Sequence, residues 1–156
     1  MVALVKMTGP EFAAWKERAI VEYAADKVRA GNDVEDGAVE RSRKEFESFM
    51  PEGLETKGHH FFSVVDDKTH EKVGMVWYAD APGRLTDMLW IYDIGIDAKW
   101  RGRGYGTAVM RLVEERAREL GKKRVGLHVF AHNEGARKLY ERLGYAATNI
   151  SMTKDV

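Results

Sequence analysis

Residues 101–107 read Arg-Gly-Arg-Gly-Tyr-Gly-Thr, so that three glycines stand within seven residues. Glycine reaches backbone conformations closed to other residues and lets a ligand approach the chain closely. Successive free N–H groups and the dipole of a following helix attract an anion, and the two arginines add permanent positive charge. The stretch indicates a phosphate-binding loop, although a flexible basic loop at a helix start has the same composition.

The sequence on either side predicts a strand before this loop and a helix after it. Residues 88–97 are rich in β-branched and aromatic side chains, and their one interior glycine, Gly95, suggests a bulge. After the loop, apolar residues recur at helical spacing from Val109 to Leu120. No Gly-Lys-Ser/Thr follows as a P-loop requires, and the glycine spacing is not that of a dinucleotide fingerprint.

This strand, loop and helix resemble the acetyl-CoA signature of the GNAT superfamily of N-acetyltransferases, which reads Arg/Gln-x-x-Gly-x-Gly/Ala. Arg101, Gly104 and Gly106 fit the signature. Ile94 and Ile96 fit the hydrophobic strand end that precedes it in the family. One short motif is weak support by itself, so a second region of similarity matters.

Residues 127–145 are similar to the strand and helix that follow in the same family. They include an asparagine at position 133, a tyrosine at position 140 and a closing Leu-Gly-aromatic that ends at Tyr145. The two blocks together span residues 88–145, and their order and spacing fit. The N-terminal half fits only in its order of elements, and members of the family differ in substrate through that half.

The resemblance implies an α/β (α+β) fold with a mixed, mostly antiparallel sheet of six to seven strands and about four helices, in the order β-α-α-β-β-β-α-β-α-β. Thr8 is suited to cap the first helix, and a second, more polar helix is predicted near 34–50. The pattern predicts the fifth strand over 125–130 and a last strand over 145–154. A chain of this length favours one domain, residues 1–156.

Composition narrows the class of protein. Lys plus Arg and Asp plus Glu number 25 each, so no overall charge recruits nucleic acid. The absence of cysteine excludes disulfides, thiolate metal sites and a cysteine nucleophile. No apolar run approaches the roughly 20 residues that span a bilayer, and the N-terminus lacks a signal-peptide core. We expect a cytoplasmic enzyme, monomeric or homodimeric, without a membrane or nucleic-acid partner.

The resemblance implies acetyl-CoA as co-substrate and a small-molecule or peptide amine as acceptor. The loop N–H groups would hold the pyrophosphate, and an irregular strand end would leave backbone groups free for the pantetheine arm and the thioester oxygen. No metal is expected, because His128 and His132 would share a face only in a helix, and His128 lies in a strand pattern. The expected cofactor-binding residues are Ile94, Gly95, Ile96, Arg101, Gly102, Arg103, Gly104, Tyr105, Gly106, Thr107, Asn133 and Tyr140.

Amine acetylation needs a base for the amine and an acid for the leaving thiolate. In the family a carboxylate often occupies the strand position held here by His128, which can accept a proton near neutral pH. A hydrogen-bonded sheet histidine is the alternative, and Asp93 and Tyr92 are rival bases. Tyr140 follows Asn133 by seven residues, as the family's proton-donating tyrosine does, although its apolar stripe also fits simple packing.

The expected catalytic residues are therefore Tyr140, His128 and Asp93, acting by direct attack in a ternary complex. Two other functions stay open. A CoA-binding module without catalysis would keep the fold and lack an acceptor site. An acyltransferase that uses a different acyl-CoA would differ only in the pocket around the acyl group.

Overall fold

The computed structural model describes residues 1–156. The strands are β1 (Val2–Lys6), β2 (His59–Asp66), β3 (Lys72–Asp80), β4 (Met88–Ile96) and β5 (Arg124–Leu127), and the helices are α1 (Gly9–Arg29), α2 (Ala38–Phe49), α3 (Tyr105–Glu119) and α4 (Glu134–Arg142). The strands form one sheet in sequence order. Neighbours are antiparallel except β4 and β5, which are parallel. The predicted mixed, mostly antiparallel sheet with four helices is confirmed.

Two apolar cores lie on opposite faces of this sheet. Alternation along β3 sends Met75 and Trp77 toward α1 and α2, and sends Val76 and Tyr78 toward α3 and α4. Residues 73–79 of β3 are all buried. A strand covered on both faces reads as a continuous apolar run, and this explains the sequence of β3.

The first helix begins at the predicted cap. Thr8 Oγ1 accepts a hydrogen bond from the N–H of Glu11, and the Glu11 carboxylate accepts one from the N–H of Thr8. The same carboxylate accepts a bond of 2.6 Å from Ser63 on β2 and lies 3.4 Å from Lys72 Nζ. These contacts lower the pKa of Glu11 from 4.5 to about 2, with the Ser63 hydrogen bond as the largest cause. Glu11 thus joins α1 to the sheet.

Two predicted boundaries are wrong. The second helix begins at Ala38 rather than near residue 34, because Gly37 takes the N-cap position with a φ of 75°. The fifth strand ends at Leu127 rather than at residue 130. Its only neighbour, β4, turns away at that point, so the following residues have no strand to pair with.

The number of strands also differs from the prediction. The sheet has five strands, not six or seven, because residues 145–154 do not join it. The hydroxyl of Tyr145 donates to Glu114 of α3 at 3.2 Å, which holds the chain against the helical layer after α4. Residues 146–156 are exposed beyond this contact. No helix of the chain is both long and apolar enough to cross a membrane.

We predict that Glu11→Gln lowers the free energy of unfolding by about 1–2 kcal/mol at neutral pH, since the side chain is one-third exposed and solvent screens part of the effect. Because the folded-state pKa is depressed, the stabilisation is complete above pH 4.5 and is lost as the pH falls toward about 2. Denaturant titrations at several pH values measure the difference. Glu40→Gln, at the same third position of α2, is the matched control and should change little; an equal loss in both variants would contradict the prediction.

Candidate active site

The glycine-rich loop joins β4 to α3 and leaves a run of free backbone donors. Gly104 is the N-cap of α3, has a φ of 84° that side-chain-bearing residues rarely adopt, and brings no side-chain cap. The first helical bond of α3 is donated by Ala108. The N–H groups of residues 102–107 consequently make no hydrogen bond within the chain. Six successive free donors at the start of a 15-residue helix form an anion site.

Cationic side chains surround these donors. Arg101 Nε donates to the carbonyl of Ile96 at 2.9 Å and so closes the loop against the end of β4. Lys99 and Arg103 each place their charge 5.0 Å from the centroid of the Trp100 ring. The Trp100 Nε1 atom is buried and has no hydrogen-bond partner. The loop therefore combines free N–H groups with three fixed positive charges.

The helix that follows the loop is anchored to the end of β2. Tyr105, the first residue of α3, donates from its hydroxyl to Asp66 Oδ2 at 2.7 Å. The N–H groups of Lys68 and Thr69 donate to the other oxygen of the same carboxylate. These contacts hold the pKa of Asp66 well below its usual range, with the Tyr105 bond as the largest cause.

The sheet opens where β4 and β5 diverge. The two strands pair over four residues each, ending at Ile91 and Leu127. The β3 partners of Ile91 and Asp93 are consecutive residues, so Tyr92 has no partner. The sequence suggested a β-bulge at Gly95, but the bulge lies three residues earlier, at Tyr92. A bulge bends a strand and increases its twist, and β4 is therefore carried away from β5.

Backbone groups of β4 face this opening. The N–H of Asp97 donates to the carbonyl of Val73 on β3. Alternation along the strand turns the N–H and C=O groups of Ile94 and Ile96 to the other side, where β5 no longer runs. The Ile96 carbonyl is taken by the loop arginine, and a side chain at Gly95 would meet no atom within 4 Å. The strand end thus offers free polar backbone in open space.

Asp93 reaches the opening from the face covered by α1. Trp15 Nε1 on α1 donates to Asp93 Oδ2 at 2.9 Å. Burial raises the pKa of Asp93 above its ordinary value, and the Trp15 hydrogen bond opposes that shift. Because of the bulge, the adjacent Tyr92 lies on the same face and stacks on Trp77 with ring centroids 4.5 Å apart. No motif in the sequence marks Trp15 for this role, because an indole is both apolar and a hydrogen-bond donor.

Tyr140 reaches the opening from the opposite face, on α4. Its side chain is 8% exposed, and its hydroxyl makes no hydrogen bond. The hydroxyl oxygen is not fully enclosed and retains some contact with solvent. Burial raises the pKa of Tyr140 to about 12, and the charge of Asp93 is the second cause. A carboxylate on one face of the sheet therefore contributes to the raised pKa of a phenol on the other face.

His128 flanks the opening without being held in place. The structure puts His128 directly beyond β5 rather than within the predicted fifth strand. Leu127 is the last paired residue of β5, and His128 and Tyr92 are the first residues beyond the paired region. The exposed imidazole packs edge-on against Phe130, with centroids 4.8 Å apart, and makes no hydrogen bond.

The segment after β5 is tied to α1. His132 Nε2 lies 2.8 Å from Asp26 Oδ1, and Phe130 packs against Tyr23 with centroids 6.0 Å apart. These contacts bring α1 beside the segment that carries His128. His132 thus pairs with Asp26, whereas His128 packs on Phe130. No group of three or more His, Cys, Asp or Glu side chains could hold a metal ion.

Three aromatic residues of α1 and α2, which are Tyr23, Phe46 and Phe49, differ in their exposure. Phe46 is buried in the core, and Tyr23 packs against it and donates to Glu45 at 3.3 Å. Phe49 is 36% exposed and packs against Tyr92, with centroids 5.4 Å apart. Of the three, Phe49 has the position next to the opening and a free surface.

Asn133 is the N-cap of α4. Its Oδ1 accepts a long bond of 3.4 Å from the N–H of Ala136. The backbone N–H of Asn133 donates to the carbonyl of Phe130 at 3.0 Å. The side-chain nitrogen Nδ2 makes no hydrogen bond within the chain and is free to donate.

Comparison with known proteins agrees with this geometry. Residues 19–145 match the family model described as the acetyltransferase (GNAT) family. The uncharacterised N-acetyltransferase YdgE of Bacillus subtilis is 38% identical over 154 residues, covering 98% of this chain and 97% of YdgE. The mycothiol acetyltransferase of Propionibacterium freudenreichii is 31% identical over 114 residues, covering 72% of this chain and 33% of that protein.

A solved structure shares the whole fold. The crystal structure of YycN, an acetyltransferase relative from Bacillus subtilis, superposes with a TM-score of 0.92 at 34% identity, covering 100% of this chain and 99% of YycN. The chain therefore belongs to the GNAT family of acetyltransferases, enzymes that transfer an acyl group from acyl-CoA to an amine.

Proposed function

We propose that residues 1–156 act as a single N-acetyltransferase domain that moves the acetyl group of acetyl-CoA directly to a primary amine in a ternary complex. The observation that carries this proposal is the run of six free N–H groups at residues 102–107, placed beside the opening between β4 and β5. The free N–H groups suit the pyrophosphate of CoA, and the opening would give its acyl arm a path to the amine. Within the GNAT family acetyl-CoA is the general donor.

The loop would hold the cofactor through backbone and charge together. The N–H groups of Gly102 to Thr107 suit the phosphate oxygens, and Lys99 and Arg103 supply charge beside them. Arg101 already uses Nε on the Ile96 carbonyl, so its first task is to fix the loop to the strand. Its terminal guanidinium nitrogens make no hydrogen bond in the chain and remain available to an anion.

The diverging strand end would orient the thioester. Alternation along β4 turns the N–H groups of Ile94 and Ile96 toward the opening, and the Ile94 N–H also interacts with the Asp93 carboxylate. The free side-chain amide of Asn133 lies on the segment beyond the opening. Donors that are fixed before the reaction and directed at a developing oxyanion contribute roughly 3–4 kcal/mol to catalysis. Alignment of amine and thioester adds to this through proximity.

Tyr140 would return a proton to the thiolate that leaves. Its pKa of about 12 keeps the phenol protonated throughout the neutral range, so the acid is in its active form. The charge of Asp93 is one of the two causes of that high pKa. Neutralising Asp93 would therefore lower the pKa of Tyr140 and favour proton release.

Asp93 and His128 are the proposed bases, because they are the titratable groups on β4 and directly beyond β5 where the two strands diverge. Burial raises the pKa of Asp93 above its ordinary value, which makes the carboxylate more basic than an exposed one. The imidazole of His128 is exposed and has no partner to displace. Burial also raises the pKa of Tyr92, which keeps that phenol protonated and makes it a poor base.

We predict that Gly106→Pro weakens acetyl-CoA binding by roughly 10- to 100-fold in calorimetry, since it removes one charge-assisted donor of about 1.5–3 kcal/mol. Gly106 is the second residue of α3, and Pro10 occupies the same position in α1, so the helix tolerates the ring. Gly135→Pro makes the same change in α4 and is the matched control.

A second control separates the N–H group from side-chain bulk. A Cβ at position 106 would lie 3.1 Å from Leu139 Cδ2. Gly106→Ala adds that Cβ and keeps the N–H, and it should bind within a few-fold of wild type. Equal affinity in a folded Gly106→Pro variant would reject the site.

We predict that initial-rate plots with varied acetyl-CoA and amine intersect, because the chain has no cysteine to carry an acyl group. A panel of primary amines serves as acceptors, and released CoA is titrated with a thiol reagent without background from the protein. Parallel lines, together with an acetylated protein trapped in the absence of acceptor, would contradict direct transfer.

We predict that Tyr140→Phe binds acetyl-CoA nearly normally while kcat falls at least roughly tenfold, because a general acid contributes about 10²–10⁴-fold and water replaces it in part. The measurement uses an amine that the enzyme acetylates, under conditions in which acetyl transfer is the rate-limiting step. Tyr145→Phe removes a hydroxyl from the neighbouring ring, 6.1 Å away by centroid, and should leave kcat unchanged. An unaltered kcat in Tyr140→Phe would assign that residue to packing alone.

A further inference from the structure

The face of the sheet that carries α1 and α2 has aromatic side chains beside the opening that are not buried. They are called here the aromatic shelf and comprise Phe49 of α2, His59 of β2, and Trp90 and Tyr92 of β4. The Tyr92 ring lies 5.4 Å by centroid from both Phe49 and His59. Trp90 is on the same face, because Leu89 and Ile91 on either side of it point into the core beneath α3.

Gly126 of β5 makes room for the Trp90 ring. The two residues are partners across the pair of strands β4 and β5. A Cβ at position 126 would lie 2.8 Å from Trp90 Cε3 and 2.9 Å from Cζ3, which is closer than side chains pack. Glycine weakens the interior of a strand and is typical of a close approach. The indole therefore lies over the backbone of β5, and its exposed surface faces away from the sheet.

The shelf is supported from below and is uncharged near neutral pH. Tyr92 stacks on the buried Trp77 with an interplanar angle of 14°. Trp77 Nε1 donates to His59 Nδ1 at 3.0 Å, and because an indole nitrogen only donates, the neutral imidazole has its proton on Nε2. Burial lowers the pKa of His59 and raises the pKa of Tyr92, which favours the neutral form of both rings.

A negative charge lies at the end of the shelf next to the opening. Asp93 follows Tyr92 directly and is on the same face. Burial is the largest cause of the raised pKa of Asp93, and the charge of Glu22 on α1 adds to it. At about 3.3 Å per residue, Trp90 lies within roughly 10 Å of Asp93 along the strand. The surface thus suits a cation at Asp93 that is joined to a flat apolar group on the shelf.

We propose that the acceptor is a primary arylalkylamine, in which a short alkyl chain joins an aromatic ring to the nitrogen. This inference rests on the proposed function and names the substrate of the same site. The aromatic ring would lie on Trp90 and Tyr92, with Phe49 at its side, and the amine would lie at Asp93 beside the thioester. Aromatic pairs gain stability beyond the area that they bury, and the fixed shelf loses little entropy on binding.

A polyamine is the alternative acceptor, because its second ammonium could lie over the same rings. A cation–π contact at an exposed site contributes less than the burial of a whole aromatic ring. The shelf also offers no second carboxylate at its far end among Phe49, His59 and Trp90. The arylalkylamine therefore fits the surface better.

Acetyl transfer to four probe amines tests the substrate class. We expect kcat/KM for phenethylamine to exceed the values for spermidine and for Nα-acetyl-lysine amide at least tenfold. It should exceed the value for cyclohexylethylamine, which has a similar size without a planar ring, several-fold. Equal values for the phenyl and cyclohexyl amines, or a preference for spermidine or the lysine amide, would overturn the proposal and leave the proposed function intact.

Variants of the shelf test where the ring binds. Trp90→Leu should lower the ratio of kcat/KM for phenethylamine to that for n-propylamine roughly tenfold, because the shorter amine has no ring to place on the shelf. Gly126→Ala displaces the indole and should lower the same ratio. Gly9→Ala, where a Cβ would meet no atom within 4 Å, is the matched control and should leave the ratio unchanged. An unchanged ratio in a folded Trp90→Leu variant would reject the shelf.

Calorimetry separates this proposal from the proposed function. Phenethylamine is titrated into the protein with CoA, which has no acetyl group to transfer. Binding that weakens at least tenfold in Trp90→Leu supports the shelf even where no amine is acetylated. Acetylation of amines together with an affinity that does not depend on Trp90 would reject the shelf alone.

Discussion

A single unpaired residue in β4 controls the geometry on which the rest of the site depends. Tyr92 has no partner on β3, and directly beyond it β4 separates from β5. Without that break the sheet would continue as a closed surface, and the backbone of Ile94 and Ile96 would be hydrogen-bonded to a neighbour. The bulge thus exposes the strand end to a ligand and also turns Tyr92 and Asp93 to the same face.

The opening lets chemistry from both faces of the sheet meet. Asp93 comes from the side of α1, where Trp15 holds it, and Tyr140 comes from α4 on the other side. In an unbroken sheet these two groups would be separated by a layer of backbone. Here the charge of Asp93 helps to raise the pKa of Tyr140, and the partly dry surroundings strengthen that effect. The two cores therefore supply support for the site as well as stability.

Local features of the structure could be predicted from the sequence, and features set by distant pairing could not. The cap at Thr8 and the glycine-rich start of α3 depend on residues close together in the chain, and both were predicted. The position of the bulge depends on the register between β3 and β4, which no local pattern specifies. The sequence favoured Gly95 for conformational reasons, but the irregularity lies at Tyr92. Residues 145–154 have a strand pattern as well, yet they do not join the sheet.

The hydrogen bond between Tyr105 and Asp66 bears on how an anion would be received. It fixes the first turn of α3 to the turn between β2 and β3, and Asp66 is fixed in turn by two backbone N–H groups. The donors of the loop are thus ordered before any ligand arrives, and their conformational entropy has already been lost during folding. Binding of a phosphate group would then proceed with little rearrangement of the loop, because the site is preorganised.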